Sequence, residues 1–338
     1  MANVTFLIGN GFDLACGLKT KFSHTFRSYC RTQPSLPVVE DFKSAISRDI
    51  EKWSDFEMTL AEYAPKFKNS EELIACIKDY KLYLRTYLQN EEEFFVSKYL
   101  KDQTTRDVLV KEMRRSQSHF YDGVTPKSHS RIDAVLGKGL VILRAPDIFR
   151  YISFNYTSIL DKLLVAASYS SKDAPTVMHV HGTLSGADEI LGVDNDEQLP
   201  KLPYELNEEA KQRIIKPAHA EEYNPDERER ALKAIKESNI ICAYGLALGS
   251  SDWTWAQAIK DWLVNSENHQ LVYYDFSLSK GTFSDAASRM GAEREAKENL
   301  IKRLFDNFGE YEPEIKAQIH IPTGSDIFNI KEVIGGER

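Results

Sequence analysis

Two residues in this chain have the chemistry for moving protons and orienting water at strand ends: Asn155, in Phe-Asn-Tyr-Thr, and His181, in His-Val-His-Gly. A carboxamide can orient a water or a hydroxyl, and an imidazole with an ordinary pKa of about 6.5 can act as a general base. Near the N-terminus, Gly9-Asn10-Gly11-Phe12-Asp13 closes a short apolar run. A buried strand that ends in a glycine turn and opens a helix presents backbone N–H groups to a phosphate. The next glycine is Gly17, so the pattern is not the Gly-x-Gly-x-x-Gly dinucleotide signature. The turn therefore reads as a phosphate cradle or as a tight strand-to-helix connection.

Other polar residues gather at the same kind of position. Asp13 caps the following helix or binds a ribose hydroxyl, because a carboxylate beside phosphate is unfavourable by charge. Thr157 follows Asn155, Gly182 follows His181, and Gly245 with Ser250, Ser251 and Asp252 follows a later apolar run. His179 stands two residues before His181 and shares its face in a strand, either as a packed neighbour or as a metal ligand. With Asp194 and Asp252, that pair raises a second reading, a metal-dependent hydrolase or nuclease. Nothing supplies a further ligand at a diagnostic spacing, so no metal is expected.

The elements that must position these residues are strands and helices in alternation. Apolar runs predict strands at 4–8, 151–154, 176–180, 189–193, 240–244 and 271–274, with helices at 22–29, through 164 and across 286–307. Such alternation implies βα units and a mostly parallel, doubly wound sheet whose ligands sit at the carboxyl ends of the strands. Between 41 and 137 the pattern is helical: Phe42, Ile46, Ile50, Trp53, Phe56, Leu60 and Tyr63 recur at intervals of three and four. This predicts a helical insertion at 41–137 within an α/β domain formed by 1–40 and 138–338. The aromatic stripe reads as core. Asp55 and Glu57, beside Trp53, read as solvated acids, and 194–223, rich in Pro, Glu and Asn, reads as a surface excursion.

Composition narrows the function classes. The chain has 338 residues, 42% hydrophobic and 28% charged, enough for a substantial core. Its net charge of −8 argues against broad binding to nucleic acid or anionic membranes. No apolar run reaches transmembrane length, and the start does not resemble a secretion signal. Cys16, Cys30, Cys76 and Cys242 are scattered without a Cys-x-x-Cys pair, so the expectation is a cytoplasmic protein.

Gly9–Leu14, Phe154–Thr157, His179–Gly182 and Gly245–Asp252 occur in the order found in the bacteriophage abortive-infection AbiH family, which the chain resembles over nearly its whole length, the Trp53–Glu57 segment included. More remotely, it looks like the NAD-binding domain of sirtuins and sirtuin-like NAD hydrolases of bacterial defence. Their glycine turn and later Gly-Ile-Pro match Gly9–Asp13 and Gly17-Leu18-Lys19 in spacing, and their Gln-Asn pair falls on Phe154-Asn155. Their His-Gly falls on His181-Gly182 and their Gly-Thr-Ser near Gly245–Asp252. The resemblance implies Asn155 and His181 as catalytic residues. Gly9, Asn10, Gly11, Phe12, Asp13, Thr20, Gly182, Gly245, Ser250 and Asp252 would be the contacts to NAD, here a substrate. Thr20-Lys21-Phe22 replaces the sirtuin Asp-Phe-Arg, so the nicotinamide-pocket contacts do not carry over. The four zinc cysteines are missing and the helical block stands where a small domain would insert, which argues against lysine deacylation. The implied function is an anti-phage effector that hydrolyses NAD to nicotinamide and ADP-ribose, kept off in resting cells by an inhibited homo-oligomer, a closed insertion or a conformation that awaits a phage-derived trigger. A non-catalytic nucleotide sensor or scaffold is the remaining alternative.

Overall fold

The computed structural model describes residues 2–138, 147–168, 170, 172–186, 188–223, 225–305, 313–328 and 330–335. Within them lies a sheet of β1 (Asn3–Ile8), β2 (Ile148–Ser153), β3 (Val177–His179), β4 (Ile240–Tyr244), β5 (Gln270–Tyr274) and β6 (Ile319–His320). The order is β3-β2-β1-β4-β5-β6 and every pairing is parallel. Parallel neighbours require crossover connections, and helices supply them on both faces.

Alternate strand residues feed two separate cores. Val4, Phe6, Ile8, Tyr151, Cys242, Tyr244 and Val272 face helices Gln103–His119 and Pro126–Leu136. Leu7, Ile152, Ile241, Ala243, Leu271 and Tyr273 face helices Pro225–Lys236, Trp253–Asn265 and Ala286–Leu304. A sheet covered on both sides needs apolar side chains at every position, which is why these strands read as continuous runs. The fold is the expected doubly wound, Rossmann-like α/β architecture. The expected helix at 286–307 ends at Leu304, and its last two predicted residues lie outside the described residues.

One expected strand is absent from the sheet. In 189–193 only Val193 makes a bridge, to Ile215, and the run is apolar because Leu191 and Val193 pack into the helical core. Strand β6 takes its place at the far edge, with Leu271 opposite Ile319 and Val272 opposite His320.

Helices within 41–137 pack in two places. Pro37–Arg48, Phe56–Tyr63 and Ser70–Phe95 surround a core of their own, where the aromatic stripe is buried as expected; the rings of Phe56 and Tyr80 lie 4.6 Å apart. Gln103–His119 and Pro126–Leu136 instead cover the sheet. The stretch 194–223 is not a surface excursion. Ala210, Ile214 and Ile215 are buried in the same core as Leu73 and Ile77, and Lys216 N–H donates to the Val193 carbonyl at 2.8 Å. Among the described residues no helix is long and apolar enough to cross a membrane, and all four cysteines are free thiols.

Candidate active site

Strand order reverses direction between β1 and β4, and in such sheets ligands occupy the crevice beyond the carboxyl ends at that point. A cleft of about 400 Å³ opens there. Gly9, Asn10 and Asp13 reach it from β1, Asn155 and Thr157 from β2, His181 from β3, and Gly245 and Asp252 from β4. Helical residues Glu57, Leu84 and Leu88 form the opposite wall.

The two glycine turns touch backbone to backbone at this crevice. Gly9 N–H donates to the Tyr244 carbonyl at 2.9 Å, and Gly11 N–H to the Gly245 carbonyl at 3.0 Å. The glycine N–H groups expected to cradle a phosphate are therefore engaged within the protein. A methyl group on Gly245 would lie 2.5 Å from Gly11 Cα, and its φ of +65° disfavours any side chain. Backbone cannot move aside as a flexible side chain can. Gly245→Ala is therefore expected to cost about 3 kcal/mol or more in urea denaturation. A loss below about 1 kcal/mol would contradict the contact.

Asp13 does not cap its helix. It is buried, with Oδ1 accepting from Asn155 Nδ2 at 3.2 Å and Oδ2 from Thr157 Oγ1 at 2.8 Å. Asn155 Nδ2 also donates to the Gly9 carbonyl at 3.1 Å, so its amide locks the β2 loop onto the β1 turn and leaves Oδ1 for a ligand. Burial pushes the Asp13 carboxyl from 3.8 up to about 7, against the hydrogen bonds from Thr157 and Asn155. A buried carboxyl titrating near neutrality is a competent proton acceptor.

On the other side of the cleft, His181 lies edge-on to Phe154, centroids 5.3 Å apart, and Phe154 in turn packs on Trp255. Its Nε2 sits 3.5 Å from Asp252 Oδ1 and has no hydrogen-bond partner. Burial and the nearby Lys216 ammonium push the imidazole down to about 3, so it is neutral at pH 7. A ring so weakly basic accepts hydrogen bonds but is poorly suited to taking a proton.

Lys216 is the residue that sequence reasoning missed. It is buried, and its Nζ lies 2.7 Å from Glu57 Oε2 and 3.2 Å from Asp252 Oδ1, and donates to the Ser251 carbonyl at 2.7 Å. Burial alone would raise the Asp252 carboxyl, but the Lys216 ammonium outweighs it and holds Asp252 below its ordinary value. For Glu57 burial wins: the carboxyl rises to about 7 despite Lys216, helped by the Asp252 charge. Glu57 is thus not a solvated acid, and Gly192 N–H donates to its second oxygen at 3.3 Å. Its neighbour Asp55 does behave as a helix cap. The available signal was local: Lys216 directly follows two isoleucines, and Glu57 sits between Phe56 and Met58.

The remaining expected residues divide. Asn10 and Thr20 line the cleft and pair with each other, Thr20 Oγ1 donating to Asn10 Oδ1 at 2.5 Å. Gly11 faces a neighbouring cavity. Phe12 is fully buried, edge-on to Phe328, and does not reach the cleft. Gly182 packs against the Asp188 backbone, and Ser250 is exposed with its carbonyl taken by Gln198. His179 turns away from His181: its Nε2 lies 3.0 Å from Asp161 Oδ2 and its Nδ1 3.3 Å from the Asn155 carbonyl. Its imidazole is raised because Asp161 outweighs burial. The His-x-His pair does not converge because His181 lies beyond the end of β3. Asp194 accepts from Thr254 N–H, and among the described residues no group of three or more His, Cys, Asp or Glu side chains is placed to hold a metal.

These features define a doubly wound α/β protein with a polar cleft at its topological switch point. Residues 5–274 match the family model described as bacteriophage abortive infection AbiH, and the chain belongs to that family. That membership gives it a role in abortive infection by bacteriophage. No curated protein and no solved structure matches the chain.

Proposed function

We propose that this protein acts in abortive infection by hydrolysing NAD at the β1/β4 cleft, in the manner of the sirtuin-like NAD hydrolases it resembles. The observation that carries the reading is the meeting of Asp13, Asn155 and His181, from three different strand ends, in one cleft at the switch point. In NAD the bond between the ribosyl C1′ and the nicotinamide nitrogen is already cationic, and its rupture develops positive charge on the ribose. The electron pair leaves with nicotinamide, which becomes neutral. A water oxygen bonds to C1′, and the proton it sheds passes to Asp13, whose carboxyl is tuned near neutrality. Asn155 Oδ1 and the neutral His181 Nε2 accept hydrogen bonds from ribose hydroxyls or the water. Asp252, kept ionised by Lys216, adds negative charge to the same cleft as the oxocarbenium forms. ADP-ribose, nicotinamide and a proton are the products.

Purified protein incubated with NAD, with and without infected-cell lysate, is expected to release nicotinamide and ADP-ribose. Asn155→Ala and His181→Ala are each expected to lower that release by about a hundredfold. Unchanged release in both variants would remove the catalytic assignment, and no release from wild type under either condition would favour a nucleotide sensor.

A further inference from the structure

A second cavity, of about 790 Å³, adjoins the first and shares Asn10, Gly245, Leu246 and Ala247 with it. It runs beyond the ends of β4 and β5, and its lining differs sharply from that of the acidic cleft. Lys19, Lys21, His24, Lys280 and Lys331 face it, against a single carboxylate, Asp275. In a chain of net charge −8, this is a local concentration of the opposite sign. Among the described residues no ion pair engages Lys19, Lys21 or Lys331, whereas Lys280 lies 3.5 Å from Asp326 and 3.7 Å from Glu332. Asp275 Oδ1 accepts from the N–H and the hydroxyl of Ser277 at 2.9 and 2.5 Å. The Nδ1 of His24 is buried without a hydrogen-bond partner, and the surrounding lysines add to burial in lowering that imidazole. Phe276, 71% exposed, offers an aromatic face at the rim.

Ribose hydroxyls are matched by a carboxylate and a ribose phosphate by fixed cations. Here one carboxylate, with two hydrogen bonds already on its Oδ1, stands against Lys19, Lys21 and Lys331, none of which is ion-paired among the described residues. We infer that this cavity binds a nucleoside carrying a ribose phosphomonoester, so that the substrate class is a 2′-phosphorylated dinucleotide in preference to the unphosphorylated one. The inference rests on the proposed cleavage site, because a dinucleotide with its nicotinamide ribose beside Asp13 would cross the shared Asn10–Gly245 rim into the second cavity. The charge of the 2′-phosphate is met by Lys19, Lys21 and Lys331. Phe276 provides the stacking surface for the base.

Calorimetric titration with 2′,5′-ADP, 5′-AMP and inorganic phosphate tests this without turnover. The 2′,5′-ADP is expected to bind about tenfold or more tighter than either of the others. Lys19→Ala/Lys21→Ala, both exposed positions, is expected to erase about tenfold of that advantage while 5′-AMP binding changes by less than about twofold. Equal affinity for 2′,5′-ADP and 5′-AMP, or a preference untouched by the double variant, overturns the inference. Nicotinamide release separates the two readings. Release from NAD with no 2′,5′-ADP preference removes only the phosphate subsite, and a preference without release removes only the cleavage reaction.

Discussion

Replacing Asp13 by Asn is expected to abolish most nicotinamide release, by about a hundred- to ten-thousand-fold, while making the folded protein more stable at pH 8. The two effects have one cause. Folding buries this carboxyl and raises it from 3.8 to about 7, so the folded state binds its proton more tightly than the unfolded state does. The stability it contributes is complete below the unfolded value and is lost as pH rises through the folded one. Above that point the ionised carboxylate costs on the order of 4 kcal/mol. Asn keeps the shape, still accepts from Asn155, and has no charge to bury. In catalysis the ionised form is the useful one, so wild-type activity should climb with pH through about 7. Steady-state rates from pH 5.5 to 8.5 and urea denaturation at pH 8 check both halves. A flat profile, or a variant retaining a tenth of the activity, would end the assignment of Asp13 as proton acceptor.

The elements legible in the sequence were those whose pattern is local. Strands β1 and β4 are covered on both faces, so their apolar runs stand out, and the glycines after each mark the switch point. Asn155 and His181 were legible because each closes such a run. Strand β6 was not, since two residues at a sheet edge leave no run to find. The segment 189–193 misled because an apolar run is what either a sheet or a helical core requires, and Leu191 and Val193 serve the latter. Glu57 and Lys216 were hidden for a different reason. A buried ion pair is two ordinary charged residues in sequence, and only the packing of the 194–223 stretch against the helical core removes them from water. That same packing closes one wall of the cleft. The segment after β3, packed against the helical stretch, thus sets the electrostatics of His181 and Asp252 from outside the sheet.

Lys216→Met is the sharpest test of that junction, with an expected loss of about 3–5 kcal/mol of folding stability at pH 8. Lys216 lies between Glu57 and Asp252, and removing it leaves two carboxylates buried near one another without a cation. Each would then resist ionisation more strongly: Glu57 moves further above its unfolded value, and Asp252, held below its own in the wild type, moves upward. By the same sign argument as for Asp13, stability is retained at low pH and lost as pH rises through the raised values. The penalty should therefore shrink towards pH 5, where Glu57, already raised to about 7 in the wild type, is protonated. Adding Glu57→Gln to Lys216→Met should recover about 1–2 kcal/mol at pH 8, because it removes one of the two uncompensated charges. The imidazole of His181 responds in the opposite direction: Lys216 helps to hold it down to about 3, and without that ammonium beside Asp252 its NMR titration should move upward. Urea denaturation at both pH values measures the first effect and the histidine titration the second. A pH-independent loss, or one below about 1 kcal/mol, would mean that the ammonium is not what neutralises this wall of the cleft.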